Sequence, residues 1–206
     1  MPSGMLRRLA AIMGIMALVM GVLGLLQVSG YLGTQQGIRN AKLLFTPLPE
    51  GAPTLKVGPG QGEVAPNFEA STLDGTKRVT LAEFRGRPVL LNFWASWCEP
   101  CARELVDIYR LRQAHPDLIV IGINRAEPAE RARRFLEKLA LPTENTSPFT
   151  VALADPDDTL FPAYHGIGMP LSLFLNANGI VVAVHNGALT YDDMEELYSQ
   201  AVGRQQ

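Results

Sequence analysis

An apolar run of six residues leads directly into a pair of cysteines, and no other feature of the chain constrains its fold as strongly. Val89–Trp94 is apolar except for Asn92, and Cys98 and Cys101 follow it with two residues between them. A continuous apolar run of this length is typical of a central parallel strand that is buried on both faces. The pattern therefore predicts a dithiol at a junction where a strand ends and a helix begins.

A place at the start of a helix suits this pair to redox chemistry. Unpaired amide hydrogens and the helix dipole stabilise a thiolate there, which lowers the pKa of the thiol and makes it the attacking nucleophile. Cys98 is therefore the candidate nucleophile, and Cys101, one turn further in, is the candidate resolving cysteine. The sequence contains no other cysteine, so these two can pair only with each other or with a partner's. Glu99 and Pro100 lie between them and are expected to tune the stability of the thiolate. The alternatives are a solvated acid in the first turn that favours the helix dipole and an ordinary proline of a first helical turn.

Two other uses of such a pair need features that this chain does not supply. The same spacing forms half of many zinc sites, but a second cysteine pair is missing and His115, His165 and His185 are widely separated. A purely structural disulfide across so short a loop constrains the unfolded chain little. We therefore expect a redox-active pair with no metal and no other cofactor.

The first 32 residues predict a membrane anchor. Leu9–Leu26 contains no charged residue, and the apolar character continues with few interruptions to Leu32. A helix of about 20 residues spans the hydrocarbon layer, and Arg7 and Arg8 favour an N-terminus that stays in the cytoplasm. A cleaved signal peptide is the alternative, with Val28–Gly30 as the cleavage context. Either way, the cysteine pair is expected outside the cytoplasm.

The rest of the chain divides into a linker and one domain. We assign residues 1–8 to a cytoplasmic N-terminus, 9–32 to a transmembrane signal anchor, 33–64 to a flexible tether rich in proline and glycine, and 65–206 to an α/β domain. In that domain the apolar segments predict a βαβ unit closed by a helix, then a strand, a hairpin and a final helix. Acidic residues number 20 and basic residues 18, with no basic stripe, so we expect no nucleic acid partner.

This element order resembles the thioredoxin fold. Within that superfamily the sequence is similar to the membrane-anchored TlpA and ResA group, which includes the DsbE/CcmG-like cytochrome c maturation reductases. The resemblance covers the chain from about Ala65 to the C-terminus and rests on Ala65–Phe68, Leu73–Gly75, Leu81, Phe84–Pro88, Leu91–Cys101 and Gly166–Pro170. It implies a thioredoxin-like α/β fold, with a central mixed sheet flanked by helices, and protein thiol–disulfide oxidoreductase activity.

The resemblance also implies how a proton leaves the inner cysteine. Thioredoxin proper has a buried Asp where this chain has Asn92, and an amide cannot titrate. In the ResA-like group a Glu three residues after the second cysteine is associated with the site, and Glu104 occupies that position here. Its spacing from Cys101 and Leu105 places it at the edge of the buried stripe of the helix. We expect a half-buried carboxylate with a raised pKa that accepts a proton; a surface acid paired with Arg103 is the alternative.

A second part of the site is implied by Met169–Pro170. The thioredoxin family carries a cis-proline against the dithiol at this position, whereas the residues alone also fit a trans proline at the start of a strand. In the family arrangement the backbone of Met169 pairs with an incoming peptide strand. Trp94 belongs either to an apolar rim of that surface or to the core. The expected substrate-binding residues are Trp97, Glu99, Pro100, Met169 and Pro170.

The resulting hypothesis is an extracytoplasmic reductant of exported cysteine-containing proteins, for example apocytochrome c, supplied with electrons by an integral membrane dithiol carrier. A disulfide-forming oxidase uses the same chemistry in reverse. A peroxiredoxin needs a proline and a Thr or Ser before its reactive cysteine, and residues 93–97 contain no proline. A membrane-anchored copper chaperone needs a histidine beside its two thiolates and usually spaces its cysteines by three residues rather than two, and neither His165 nor His185 has a context that compels a ligand role.

Overall fold

The computed structural model describes residues 13–14, 16–18, 20–21, 40–51, 54–142 and 147–203. The chain divides into two units, Met1–Gly37 and Ile38–Gln206. The described residues of the first unit lie between Met13 and Gly21 and are helical. The predicted anchor, Leu9–Leu32, lies largely outside the described residues, and within those residues no helix is both long and apolar enough to cross a membrane.

A mixed sheet of eight strands is the framework of the second unit. Its strands are β1 (Lys42–Leu43), β2 (Phe68–Thr72), β3 (Arg78–Thr80), β4 (Val89–Trp94), β5 (Ile119–Arg125), β6 (Val151–Asp155), β7 (Leu171–Leu175) and β8 (Val181–Asn186). They lie in the order β1-β2-β6-β5-β4-β7-β8, with β3 paired to β2. β4, β5 and β6 are parallel to one another, and the other pairs are antiparallel. This is the thioredoxin-like α/β fold that the resemblance implies.

Helices connect the strands of the sheet. They are α1 (Glu99–Ala114), α2 (Ala129–Lys138), α3 (Leu160–Ala163) and α4 (Tyr191–Gly203), with a 3-10 turn at Leu81–Phe84. A capping box starts the 3-10 turn, because the side chain of Glu83 accepts a hydrogen bond from the backbone N–H of Thr80. Two short elements, β1 and α3, were absent from the sequence-based expectation.

The prediction for β4 as a central strand is confirmed, since all six of its residues are buried. Leu91 and Phe93 pack into the core on one face of the sheet, whereas Leu90 and Trp94 pack against α1 on the other. Side chains alternate along a strand, so Asn92 shares the α1 face with Leu90 and Trp94. An apolar strand thus carries one amide towards the helix of the cysteines.

Gly122 shows how tightly the face beside Asn92 is packed. It lies opposite Asn92 in the pairing of β4 with β5, and a Cβ atom there would come within 2.5 Å of the Phe149 ring. With no side chain at Gly122, the Phe149 ring can stack on Trp94, with ring centroids 5.6 Å apart. Trp94 is fully buried and is therefore core, which excludes it from an apolar rim.

The segment predicted as a flexible tether, residues 33–64, differs in the structure from Lys42 onwards. Lys42–Leu43 pairs with β2 as an edge strand. Further on, the backbone N–H of Val181 donates to Glu63 O at 2.8 Å, and Val64 is fully buried. The proline and glycine content suggested a free linker, but a few backbone hydrogen bonds to sheet edges hold both stretches against the domain.

Candidate active site

The two cysteines form a disulfide at the start of α1. The Cys98–Cys101 bridge joins Cα atoms that lie 5.3 Å apart. Cys98 is the N-cap of the helix, and the backbone N–H of Cys101 donates to its Sγ at 3.2 Å. Cys98 is 6% exposed and Cys101 is fully buried. A sulfur at this position faces amide donors and the positive end of the helix dipole, which favour a thiolate once the bridge is reduced.

Glu104 lies on α1 three residues after Cys101 and is buried more deeply than expected, with 2% exposure. Its Oε2 accepts a hydrogen bond from Asn92 Nδ2 at 2.9 Å, and its Oε1 accepts one from the backbone N–H of Leu189 at 3.0 Å. Desolvation raises the pKa of Glu104 from 4.5 to about 7, although these two hydrogen bonds act to lower it. The carboxyl group therefore titrates near neutral pH.

The surface alternative for Glu104 does not hold. Arg103 forms its ion pair with Glu99 instead, and both of those side chains are well exposed. Glu104 is instead one of the buried residues of α1, together with Cys101 and Leu105. The expected rise in the pKa of Glu104 has a physical cause, which is the loss of water around the buried carboxylate.

Asn92 connects Glu104 to the neighbouring strand. Besides its bond to Glu104, Asn92 Nδ2 donates to Ser172 Oγ at 3.0 Å, and Ser172 is 1% exposed. The Oδ1 atom of Asn92 is buried and has no hydrogen-bond partner among the described residues. The NH₂ group therefore faces the two acceptors, and the amide carbonyl is the group left unpaired.

A second buried carboxylate, Glu127, was missed by the sequence analysis. It is 4% exposed and follows β5 in the loop before α2. It accepts hydrogen bonds from Ser96 N at 2.7 Å, Ser96 Oγ at 2.5 Å and Asn124 Nδ2 at 2.6 Å. Ala126, just before it, has a φ of 54°. Glu127 thus holds the loop that leads to Cys98, and a loop position gives no periodic signal from which its burial could be read.

The Met169–Pro170 peptide bond is cis, as the resemblance implies. Met169 is half-buried and packs against the cluster that contains Cys98 and Cys101. Two large apolar side chains near this region are open to solvent, since Trp97 is 56% exposed and Ile167 is 88% exposed. Ile167 was not among the expected residues, because an apolar residue in a glycine-rich loop has no distinctive sequence pattern.

No metal-binding group of three or more His, Cys, Asp or Glu residues occurs among the described residues. His115 pairs instead with Glu195 on α4, with Nε2 and Oε2 2.9 Å apart. His165 has a φ of 53° and lies in the loop before Met169. The chemistry that the site offers with its own residues is thiol–disulfide exchange, with a buried carboxyl group on the same helix as Cys101.

The fold, the bridge at a strand–helix junction and the neighbouring cis-proline define the class, which is a thioredoxin-like thiol–disulfide oxidoreductase. Comparison with known proteins agrees. Residues 61–184 match the AhpC/TSA family, and the chain belongs to that family. Its relatives are named for thioredoxin-like and thiol–disulfide exchange proteins, and the chain is accordingly a protein thiol–disulfide oxidoreductase of the ResA and DsbE kind.

Three of these similarities illustrate the match. The chain is 31% identical over 154 residues to the thioredoxin-like protein YneN of Bacillus subtilis, covering 68% of this chain and 80% of that protein. It is 31% identical over 147 residues to the thiol-disulfide oxidoreductase ResA of Geobacillus thermodenitrificans, covering 69% and 79%. The crystal structure of a candidate thiol:disulfide interchange protein DsbE from Chlorobium tepidum aligns with a TM-score of 0.61 and 27% identity, covering 69% of this chain and 97% of that one.

Proposed function

We propose that this chain is a membrane-anchored, extracytoplasmic reductant of protein disulfides, in which Cys98 attacks the substrate. The observation that carries the proposal is the difference between the two sulfurs. Cys98 caps the helix, accepts the Cys101 amide hydrogen bond and retains some exposure, whereas Cys101 is fully buried. This difference supports Cys98 as the sulfur that meets another protein.

The reaction starts from the reduced dithiol. The Cys98 thiolate attacks one sulfur of the substrate disulfide, the substrate S–S bond breaks, and the other substrate sulfur leaves and takes a proton. Cys101, once deprotonated, attacks Cys98 Sγ and releases the second substrate sulfur as a thiol. Two electrons pass to the substrate, and the chain ends with the Cys98–Cys101 bridge seen in the structure.

Glu104 is the proposed acceptor of the Cys101 proton. It lies one turn along the same helix, and its pKa of about 7 suits a group that takes and returns a proton at neutral pH. Each carboxylate oxygen accepts a single hydrogen bond in the described structure, so each retains a lone pair that can receive a proton.

The substrate is proposed to bind over the dithiol as an extended segment. The backbone beside the cis-proline, at Met169 and Pro170, supplies strand-like hydrogen bonds that tolerate many sequences. The exposed indole of Trp97 supplies apolar contact next to Cys98. Glu99 and Pro100 form the rest of the surface at the start of the helix.

The cellular setting follows from the N-terminal sequence. We propose a cytoplasmic segment at 1–8, an anchor at 9–32 and a tether that begins at residue 33 and ends where the domain begins, at the buried Ala41 and β1. Exported cysteine-containing proteins, with apocytochrome c as the example, are the proposed substrates. An integral membrane dithiol carrier is the proposed electron donor, because the cysteine pair must be reduced after every turnover.

The reduction potential tests the direction of electron flow. The full chain in detergent is equilibrated with buffers of defined ratios of reduced to oxidised thiol. The fraction of chains that carry the Cys98–Cys101 disulfide is measured at each ratio. A potential near that of thioredoxin, about −270 mV, is the result we expect for a reductant. A potential near about −120 mV contradicts it and makes the chain an oxidant of exported proteins.

A further inference from the structure

We infer that Asn92 is a positioning residue for the reaction, whose amide orients the Glu104 carboxylate and sets the pH at which it accepts a proton. This inference deepens the proposed function and rests on the role of Glu104 there. Asn92 does not titrate, and its hydrogen-bond partners among the described residues are Glu104 and Ser172, neither of them a sulfur. It acts through the carboxylate that it binds.

The geometry fixes which end of the amide faces Glu104. Asn92 Nδ2 lies 2.9 Å from Glu104 Oε2 and 3.0 Å from Ser172 Oγ. Asn92 is fully buried, and its unpaired Oδ1 shows that the NH₂ group is the end committed to partners. Turning the amide over would place a carbonyl oxygen against a carboxylate. Repulsion between those two oxygens therefore keeps the donor on the side of Glu104.

A donor in this place favours the charged form of the acid. An N–H group binds a carboxylate more strongly than it binds a protonated acid, so it opposes the rise in pKa that burial causes. The charges and donors that face Glu104 from the surrounding elements are few. Asp107 acts from the same helix and raises the pKa, while Leu189 N, in the loop before α4, lowers it. Among the described residues, Asn92 on β4 is the other donor that lowers this pKa.

An amide at position 92 separates two tasks. A carboxylic acid there would compete with Glu104 for a proton, because two close carboxyl groups titrate as a coupled pair. An apolar residue would leave Glu104 with one donor fewer. Asn92 adds a donor and no second titrating group, which leaves Glu104 as the single acid of this buried network.

The test compares Asn92→Leu with Asn124→Leu. Asn124 is a matched control, because it is also a buried strand residue whose Nδ2 binds a glutamate, Glu127, and whose Oδ1 is unpaired. The readout is a carbon-13 NMR titration of the Glu104 carboxyl group in the oxidised full chain. We expect a midpoint about one pH unit higher in Asn92→Leu, since one hydrogen bond to a charged group is lost, and no such shift in Asn124→Leu. An unchanged midpoint in Asn92→Leu, or equal shifts in both variants, overturns the inference.

A kinetic measurement separates this inference from the proposed function. At a pH below the midpoint, resolution of the mixed disulfide by Cys101 should be about tenfold slower in Asn92→Leu, because a smaller fraction of Glu104 is ionised. In Glu104→Gln the pH transition should vanish, and adding Asn92→Leu to it should shift nothing. A transition that persists in Glu104→Gln removes Glu104 from the mechanism even if the NMR midpoint moves. If Leu is not accommodated at position 92, Asn92→Ala removes the same donor and is held to the same outcomes.

Discussion

Two buried Asn–Glu pairs lie close to the cysteine bridge, and they are built differently. Asn92 on β4 binds Glu104, while Asn124 on β5 binds Glu127. Glu104 also accepts the Leu189 amide, in the loop before the last helix. Glu127 also accepts both the N–H and the hydroxyl of Ser96, two residues before Cys98. One pair thus joins elements behind Cys101, and the other holds the segment in front of Cys98.

The same chemical pair is suited to two purposes, proton transfer at Glu104 and positioning of the chain at Glu127. The Glu104 carboxyl group is bound by an amide and a backbone N–H, and burial still raises its pKa to about 7. It is therefore suited to proton transfer. Glu127 fixes the position of Ser96 and hence the approach of the chain to the nucleophile, which is a geometric task.

The largest effect we expect is on the pH dependence of stability. Between pH 4.5 and about 7 the folded chain holds a proton on Glu104 that the unfolded chain has released, so stability falls as the pH rises. The rise in pKa corresponds to about 3 kcal/mol. The free energy of unfolding of the oxidised chain is measured with denaturant at pH 5 and at pH 8. Most of this loss should appear between the two pH values in the wild type and be absent in Glu104→Gln. An identical pH dependence in both proteins contradicts the account of the first pair.

A slightly smaller effect is expected on the exchange rate. Glu104→Gln should slow resolution of the mixed disulfide at pH 7 by about 100-fold, since general base assistance contributes at least that much. Stopped-flow measurement of single turnovers checks the rate. Glu130→Gln is the control, because it removes an exposed acid from α2 and not from the site, and its resolution rate should stay within about twofold of the wild type.

The second pair should respond in a different way. Glu127→Gln keeps the shape of the side chain but loses the charge that strengthens its hydrogen bonds, and we expect a stability loss of about 1.5 kcal/mol. The NMR midpoint of Glu104 should remain where it is. A shifted Glu104 midpoint in this variant would show that the two pairs are electrostatically coupled, which contradicts separate roles for them.

The smallest effect is expected outside both pairs. Trp97→Ala removes an exposed apolar contact next to Cys98, and we expect KM for a protein disulfide to rise about fivefold, as for the loss of about 1 kcal/mol of binding. The pH midpoint and the resolution step should not change. A change in either would place Trp97 inside the proton-transfer network.

The sequence predicted the elements that carry Asn92 and Glu104 but not the contact between these two side chains. Helical spacing from Cys101 placed Glu104 near the buried stripe of α1, and the apolar run predicted β4 with Asn92 inside it. The alternation of side chains along a strand could also have assigned Asn92 to the α1 face. That the two side chains meet depends on how α1 packs on the sheet, which sequence spacing alone does not specify.

The sequence did not predict the Asn124–Glu127 pair or the edge strand β1. Glu127 follows a strand in a loop, where neither a helical nor a strand period applies, and its partner Ser96 is 31 residues away. β1 consists of two residues in a proline-rich stretch, and its pairing depends on a neighbour far along the chain. The resemblance to the thioredoxin fold supplied the Met169–Pro170 position, which local sequence rules did not determine.

Trapping of the mixed disulfide is the decisive test of Cys98 as the nucleophile. The reduced full chain carrying Cys101→Ser, and separately the one carrying Cys98→Ser, is mixed with a protein that contains an accessible disulfide, and adducts are identified by mass spectrometry. We predict a stable adduct through Cys98 in Cys101→Ser and none in Cys98→Ser, because Cys101 is fully buried. An adduct through Cys101 in the Cys98→Ser chain, or no adduct in either, would contradict the assignment of Cys98 as the nucleophile.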